Sequence, residues 1–167
     1  CKRILSQDEI SKIATSIEEE FDRVLMENIT EKFKGTNKKF YDYIKKDIYV
    51  SRFKIYLSRV LSDYRIKEDM YNEILELKKV RKNISSIITT NYDTFIEDIF
   101  EFNPLIGNEI LLSNPYGSVY KIHGCVKYPD KIIITHDDYE RFEKRYELIR
   151  AQLLSLFIHN PIIFLGY

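Results

Sequence analysis

The sequence has little cysteine, glycine or proline, and no tryptophan. Its 167 residues include two cysteines, five glycines and four prolines. The two cysteines, Cys1 and Cys125, give neither a disulfide framework nor a Cys-x-x-Cys pair for zinc or redox chemistry. We therefore expect a reducing, cytoplasmic location and no bound metal.

Long apolar runs and net charge are also missing. The densest apolar stretch, residues 153–164, is interrupted by Ser155, His159, Asn160 and Pro161, and it is shorter than the roughly 18 residues of a membrane-spanning helix. Lys plus Arg number 26 and Asp plus Glu number 26, so the formal net charge is zero. Charge alone therefore does not indicate a nucleic-acid-binding protein, and we expect no membrane partner.

Helical patterns fill the first 82 residues. Ser6 and Glu9 have the spacing of a capping box, and apolar residues follow them at helical intervals. Further helical stretches begin after Asn37 and at about residues 67–80. We expect a helical region over residues 1–82, without strands.

Short β-branched runs alternate with helical patterns in the rest of the chain, residues 83–167. The patterns predict strands at 84–90, 109–112, 118–122, 131–135 and 161–165, and helices at 94–102 and from Asp137 or Asp138 to 158. Such alternation is typical of an α/β fold with a mostly parallel sheet. The predicted fold is therefore an α/β sheet preceded by a helical N-terminal portion.

Polar residues and glycines follow three of the predicted strands. Asn91 and Asp93 follow the first strand, His123 and Gly124 follow the third, and Gly166 follows the last. Ligands of open α/β sheets bind beyond the carboxyl ends of the strands. We therefore expect an amide, a carboxylate and an imidazole around one crevice, with glycine allowing a ligand to approach the backbone.

Each of these residues also has a purely structural interpretation. Asp93 could cap the helix that follows it, His123 could be a hydrogen-bonded structural histidine, and Gly166 could be an ordinary turn. If the convergence is functional, the chemistry that suits it is base catalysis on a sugar. His123 would then take a proton from a hydroxyl or a water, Asn91 would orient that group, and a carboxylate would stabilise a developing oxocarbenium ion.

Three further patterns have competing interpretations. Cys125 lies two residues after His123, as in a nucleophile pair, although a buried inert thiol is the favoured interpretation. His123, Cys125, His136 and Asp137 lack the spacing of a metal-ligand set. Residues 38–66 mix basic and tyrosine side chains, which fits nucleic-acid contact but also a packed helical face with solvated lysines, and we favour the packed face.

Four segments resemble motifs of bacterial sirtuin-like domains. They are Ile-Thr-Thr-Asn-Tyr-Asp-Thr-Phe-Ile-Glu at 88–97, Tyr-Lys-Ile-His-Gly at 120–124, Ile-Ile-Thr-His-Asp-Asp-Tyr at 133–139 and Pro-Ile-Ile-Phe-Leu-Gly-Tyr at 161–167. All four occur in the family's order, whereas the helical residues 1–82 resemble the family only in kind and position. The resemblance implies a Rossmann-like NAD-binding portion over residues 83–167.

The resemblance further implies an NAD+-hydrolysing domain of a bacterial anti-phage defence protein, with NAD+ as substrate and no metal. It implies that His123 is the general base, that Asn91 contacts the nicotinamide-side ribose and the water, and that Asp93 lies at the nicotinamide pocket. The NAD-binding residues that it implies are Thr90, Asn91, Asp93, Gly124, Gly166 and Tyr167. As partners we expect NAD+, further domains of a longer chain and further copies of the same chain, but neither membrane nor nucleic acid.

The sequence departs from the family pattern in two ways. The family begins with a strand and a Gly-Ala-Gly-x-Ser loop around the diphosphate, and no such loop occurs here. The four-cysteine zinc module of deacetylating sirtuins is also missing, which favours NAD+ hydrolysis over deacetylation. Because the chain starts at Cys1 and stops at Tyr167, we expect a piece of a longer protein. Because the diphosphate-binding loop is missing, we expect this piece to be inactive alone. The alternative is a non-catalytic module for NAD or ADP-ribose binding or for assembly.

Overall fold

The computed structural model describes residues 4–32, 51–112 and 116–165. The helices of this part are α1 (Gln7–Lys32), α2 (Arg52–Ser62), α3 (Tyr71–Lys79), α4 (Phe95–Phe100), α5 (His136–Arg145) and α6 (Glu147–His159). Short 3-10 turns lie at Glu68–Met70, Val80–Asn83, Gly107–Leu112 and Pro129–Lys131. Up to residue 83 the described chain is helical, as predicted, while the helix predicted after Asn37 lies outside the described residues.

Two helices of the first half, α1 and α2, begin at polar caps. At α1 the predicted capping box is present: the Ser6 amide donates to Glu9 Oε2 at 2.9 Å, and the Glu9 amide donates to Ser6 Oγ at 3.2 Å. At α2, Ser51 Oγ accepts a hydrogen bond from the Lys54 amide at 3.3 Å. Among the described helices, none is both long and apolar enough to cross a membrane.

A three-stranded sheet, all parallel, forms the centre of the second half. Its strands are β1 (Ser86–Thr89), β2 (Asn103–Ile106) and β3 (Ser118–Lys121), in the spatial order β1-β3-β2. β3 therefore lies in the middle and pairs with both neighbours. The α/β fold with a parallel sheet is confirmed.

Both faces of the sheet are covered. Consecutive β3 residues Val119 and Tyr120 are fully buried and point to opposite faces because side chains alternate along a strand. Val119 packs with Phe100 of α4, whereas Tyr120 packs with Ile110 and with Ile149 of α6. Burial of β3 from both sides explains why its sequence is a run of buried side chains rather than an alternating one.

The edge strand β2 lies where the sequence predicted the end of a helix. α4 ends at Glu101, whose left-handed backbone (φ 54°) turns the chain back toward the sheet. β2 contains Pro104, which an edge strand tolerates because its other side needs no ladder donor. The strand predicted at 109–112 was wrong, since Gly107–Leu112 is a 3-10 turn.

The predicted strand at 131–135 was also wrong. This segment follows a 3-10 turn and its amides bind to groups other than a neighbouring strand. The Ile133 amide donates to the His123 carbonyl at 2.9 Å. The Ile134 and Thr135 amides both donate to Asp138 Oδ2, at 3.1 and 3.0 Å. Because these amides already donate hydrogen bonds elsewhere, the segment does not pair with a neighbouring strand.

The predicted long helix from Asp137 or Asp138 is two helices. α5 begins at His136, and its cap is Thr135 rather than Asp137 or Asp138; Thr135 Oγ1 accepts a hydrogen bond from the Asp138 amide at 3.3 Å. Tyr146, with φ −112° and ψ 31°, leaves the helical region and separates α5 from α6.

The segment after α6 was predicted to be a buried strand, and this prediction was wrong. Residues 161–165 form no ladder with any described strand. The exposed fractions of Ile163, Phe164 and Leu165 are 84%, 69% and 78%. A β-branched apolar run predicts burial, but a strand also needs a partner for its backbone, and sequence pattern does not supply one. Gly166 and Tyr167 lie outside the described residues.

Candidate functional site

Two loops at the carboxyl edge of the sheet carry most of the predicted site residues. Thr90, Asn91 and Asp93 follow β1, and His123 and Gly124 follow β3. The two strands are hydrogen-bonded neighbours, and the Ile122 amide extends their pairing by donating to the Thr89 carbonyl at 3.1 Å. The structure thus brings the amide, carboxylate and imidazole to one edge, as the strand pattern predicted.

The loop after β1 is fixed by its backbone. Thr89 Oγ1 accepts a hydrogen bond from the Asn91 amide at 3.1 Å, and the Tyr92 carbonyl accepts one from the Val126 amide at 2.9 Å. Thr90 and Asn91 are exposed. The loop therefore presents the Asn91 side chain to solvent on a held backbone.

Asp93 binds the start of the helix that follows it. Its Oδ1 accepts a hydrogen bond from the Phe95 amide, the first of α4, at 3.0 Å. Asp93 thus supports that helix, as the structural interpretation predicted, although the N-cap position itself is Thr94. Its predicted contact with the nicotinamide stays a prediction, and this hydrogen bond fixes where that carboxylate is held.

A buried ion pair lies beneath the loop after β1. Lys121 Nζ of β3 is 3.1 Å from Glu97 Oε1 of α4, and the two side chains are 1% and 5% exposed. The same ammonium donates to the Asp93 carbonyl. Lys121 thus ties together β3, α4 and the loop that holds Asn91.

His123 is half-buried next to a tyrosine of α5. Burial lowers the pKa of its imidazole, so the ring is neutral at neutral pH. The ring meets Tyr139 edge to face, with 5.3 Å between centroids, and Nδ1 lies 3.4 Å from the Tyr139 hydroxyl. A neutral, oriented imidazole is what a general base requires.

Gly124 allows the backbone of the His123 loop to turn tightly against Lys131. Its φ is +93°, and a Cβ there would lie 2.2 Å from the Lys131 carbonyl oxygen. Its amide donates to the Lys121 carbonyl at 3.1 Å. The chain itself fills the space that a side chain would occupy at this glycine, and a contact between Gly124 and NAD+ stays a prediction.

Neither the proposed nucleophile pair nor the metal set forms a site in the described structure. Cys125 is 1% exposed and packs with Ile106 and Val126, as expected of a structural thiol. His136 instead lies 3.6 Å from Asp8 and 3.5 Å from Glu140. Within the described residues, no group of three or more His, Cys, Asp or Glu could hold a metal ion.

Sequence reasoning missed two tyrosines that contact the His123 environment. Tyr139 accepts a hydrogen bond from Gln7 Nε2 at 2.8 Å, and Tyr92 donates to the Ile133 carbonyl at 2.7 Å. Burial raises the pKa of both phenols. Both tyrosines lie inside the family-like motifs, but a phenol on an apolar pattern looks the same as a core aromatic.

Behind the tyrosines lies a second ion pair. Lys54 of α2 is 2.6 Å from Asp138 of α5, with exposed fractions of 10% and 14%, and it also donates to the Ile132 carbonyl at 2.9 Å. Burial is the largest single influence and raises the pKa of Asp138, but the hydrogen bond and charge of Lys54, together with the Thr135 and Ile134 amides, outweigh it, so the pKa is lowered overall. Asp138 is therefore ionised at neutral pH and adds to the raised pKa of Tyr92 and Tyr139.

A cavity of about 310 Å³ opens at the same edge of the sheet, on the β2 side. Glu109, Lys121 and Lys131 are the charged residues that line it, and Gly124 and Tyr146 are among its other lining residues. Neither His123 nor Asn91 is among the described residues that line it. The cavity therefore adjoins the candidate site and shares Gly124 with it.

Comparison with known proteins identifies a family for the part of the chain that contains this sheet. Residues 85–167 match the model of the SIR2-like domain. Residues 85–167 are a SIR2-like domain. The match begins one residue before β1 and covers the three strands and both loops.

Two curated relatives share sequence with the chain. The NAD(+) hydrolase ThsA of Acinetobacter baumannii (strain 532279) is 30% identical over 92 residues, covering 50% of this chain and 19% of the relative. The NAD(+) hydrolase ThsA of Enterococcus faecium is 29% identical over 117 residues, covering 62% of this chain and 24% of the relative. The chain thus spans about a fifth to a quarter of the length of these relatives, and no solved structure matches it significantly.

Proposed function

We propose that this SIR2-like domain forms the catalytic part of an NAD+ hydrolase. The observation that carries the proposal is a half-buried, neutral His123 held at the same sheet edge as an exposed Asn91, within a SIR2-like domain. The similarity to two proteins named NAD(+) hydrolase supports the same substrate. NAD+ enters as the substrate, and the chemistry needs no resident cofactor.

In the proposed reaction, water replaces nicotinamide on the ribose carbon of NAD+. The C–N glycosidic bond breaks, its electron pair goes to nicotinamide and neutralises the pyridinium, and a C–O bond forms to water. His123 accepts the proton that the water or a ribose hydroxyl loses. The products are nicotinamide, ADP-ribose and one proton, so atoms and charge balance.

The remaining site residues would act by position. Asn91 would orient the ribose hydroxyl and the water with its side-chain amide, because its backbone is already held by Thr89. Asp93, held by its hydrogen bond to the Phe95 amide, would place a carboxylate near the developing oxocarbenium ion. Contacts of Thr90, Gly166 and Tyr167 with the dinucleotide belong to the same proposal.

The setting of the reaction is part of the proposal as well. The resemblance to defence-type sirtuin-like domains favours a bacterial, cytoplasmic protein that depletes NAD+ during phage infection. We expect the domain to act within a longer chain that assembles into homo-oligomers. The short span of the curated relatives that this chain covers supports a longer chain.

The test is NAD+ consumption by the full-length gene product, with His123→Ala as the key variant. We expect the wild type to release nicotinamide and ADP-ribose, and His123→Ala to lose about 10²–10⁴-fold in rate, the usual contribution of a general base. His159→Ala is the matched control because His159 is exposed at the end of α6. Binding of NAD+ without turnover would instead indicate a non-catalytic NAD-binding module.

A further inference from the structure

The two loops of the candidate site are joined through one lysine of the central strand. Lys121 is the last residue of β3, which lies between β1 and β2. Its carbonyl accepts a hydrogen bond from the Gly124 amide at 3.1 Å, in the loop of His123. Its ammonium donates to the Asp93 carbonyl, in the loop of Asn91. One residue therefore contacts both loops, one through its backbone and the other through its side chain.

A buried carboxylate fixes the place of the lysine ammonium. Lys121 Nζ lies 3.1 Å from Oε1 and 3.4 Å from Oε2 of Glu97, and the two side chains are 1% and 5% exposed. From this position the ammonium reaches the Asp93 carbonyl. Well-packed apolar residues often replace a buried ion pair without loss of stability. Stability alone therefore does not account for a charged pair at this place.

Three consecutive residues of the Asn91 loop are each held by one hydrogen bond. The Asn91 amide donates to Thr89 Oγ1 at 3.1 Å, and the Tyr92 carbonyl accepts from an amide of the other loop at 2.9 Å. The Asp93 carbonyl accepts from Lys121. The first two bonds join neutral groups, whereas the third has a charged donor, and such bonds are roughly twice as strong. Lys121 thus supplies the strongest of the three contacts.

We propose that Lys121 is a positioning residue: its ammonium, fixed by Glu97, holds the Asp93 carbonyl and so sets where Asn91 lies relative to His123. This inference rests on the proposed function, because it concerns how two groups of that site are placed. Lys121 acts through the two loops and not on the substrate. A misplacement of about 1 Å can cost about 100-fold in rate, so the contact should be visible in turnover.

The first experiment separates the placement of the loop from the stability of the ion pair. Lys121→Met keeps the hydrocarbon stem but leaves the Glu97 carboxylate buried without a partner, so it should lose both stability and rate. The double variant Lys121→Met/Glu97→Leu removes both charges, so we expect stability to return toward that of the wild type. The donor to the Asp93 carbonyl stays absent in it. Glu97→Gln keeps that donor at reduced stability.

In the full-length gene product, kcat for NAD+ hydrolysis should follow the donor rather than the stability. We expect kcat per folded molecule to fall about 10- to 100-fold in both Lys121 variants, with KM little changed. Glu97→Gln should stay closer to the wild type than to either of them. Lys78→Met is the matched control and retains wild-type rates, because Lys78 pairs with Glu101 at 2.8 Å in an exposed position. A double variant that regains both stability and kcat overturns the positioning role.

The second experiment reads the loop itself, without turnover. Hydrogen–deuterium exchange of residues 88–94 should be at least about 10-fold faster in the double variant than in the wild type, as the loss of a hydrogen bond from a charged donor implies. Residues 10–20 of α1 are the reference and should exchange at the wild-type rate. Unchanged exchange of residues 88–94 in the double variant overturns the proposal.

The two experiments together separate this inference from the proposed function. An active wild type with unchanged kcat in both Lys121 variants overturns the positioning role alone. An inactive wild type overturns the proposed function, and the exchange of residues 88–94 still decides the inference. If neither Lys121 variant folds, Glu97→Gln decides: its loop should exchange as in the wild type because the donor remains, and accelerated exchange there overturns the proposal.

Discussion

At the scale of single residues, the site is built from buried polar groups that each have a partner. Lys121 and Glu97 neutralise each other under the loop after β1, and Lys54 and Asp138 do so under α5. Removing one member of such a pair strands the other charge, which typically costs about 3–5 kcal/mol. The pairs therefore hold the two loops in place.

Gly124 allows a test of backbone packing under the His123 loop. Gly124→Ala places a methyl group against the Lys131 carbonyl in a left-handed conformation, so we expect several kcal/mol of destabilisation, on the order of 2 or more. Gly107→Ala is the matched control: its φ is +59° but no atom lies within 4 Å, so only about 1–2 kcal/mol of strain applies. Urea unfolding of both variants measures the difference, and equal losses would contradict the packing argument.

The pH dependence of activity should follow His123. Burial lowers its pKa below the usual value of about 6.5. The facing groups do not titrate near neutrality, because Tyr92 and Tyr139 have raised pKa values and Asp138 is ionised beside Lys54. We expect kcat/KM to rise with pH through the lowered His123 pKa and to be level at pH 7.

The lowered pKa of His123 also makes folding stability depend on pH. The unfolded chain binds the His123 proton more tightly than the folded chain does, so the contribution of this group to stability is present above about pH 6.5 and declines below it. Thermal melts of wild type and His123→Ala between pH 5 and pH 8 measure that contribution. For the activity prediction, a kcat/KM that falls from pH 5 to pH 7 would contradict the role of a neutral imidazole.

At the scale of elements, local signals were predictable and contacts between distant segments were not. Three features were predictable from residues within one turn or one strand: the strands β1 and β3, and the capping box of α1. β2 was missed because Pro104 disfavours strands in general, and only its edge position makes it acceptable. A local sequence pattern shows neither the helix break at Tyr146 nor the lack of a described strand partner for residues 161–165.

The N-terminus of α5 should be sensitive to substitution. Thr135→Ala removes the cap alone and should cost about 1 kcal/mol of stability. Asp138→Ala should cost more, because it also leaves the Lys54 ammonium, 10% exposed, without its counter-ion. Ser6→Ala, at the exposed capping box of α1, controls for cap loss without an ion pair. Chemical denaturation ranks the three, and a smaller loss in Asp138→Ala than in Thr135→Ala would contradict this account.

At the scale of the whole molecule, the helical half is bound to the SIR2-like half mainly through α5 and the segment before it. Gln7 binds Tyr139, Thr15 Oγ1 accepts from the His136 amide at 3.0 Å, and Lys54 binds Asp138. The sequence predicted two regions divided near residue 82, and that boundary stays a prediction. The family-like motifs of the sequence pointed to His123 and Asn91 as candidates. The contacts of α1 and α2 with the His123 environment could be seen only in the structure.

These contacts predict that the SIR2-like half depends on the helical half. A chain of residues 84–167 lacks Gln7, Thr15 and Lys54, so we expect it to lose cooperative unfolding and the near-ultraviolet signal of its packed tyrosines. Adding residues 1–83 as a separate chain is the control and should restore part of both signals. A sharp transition at the wild-type temperature for residues 84–167 alone would show that the halves fold independently.

The sealed thiol of Cys125 has a practical consequence for watching the His123 loop move. With 1% of its surface exposed and only one residue between it and His123, Cys125 should react with an alkylating reagent only when its loop lifts from Ile106. In a chain whose Cys1 is replaced by serine, the alkylation rate therefore measures how often the loop opens. Slower labelling in the presence of NAD+ would record the dinucleotide closing the loop.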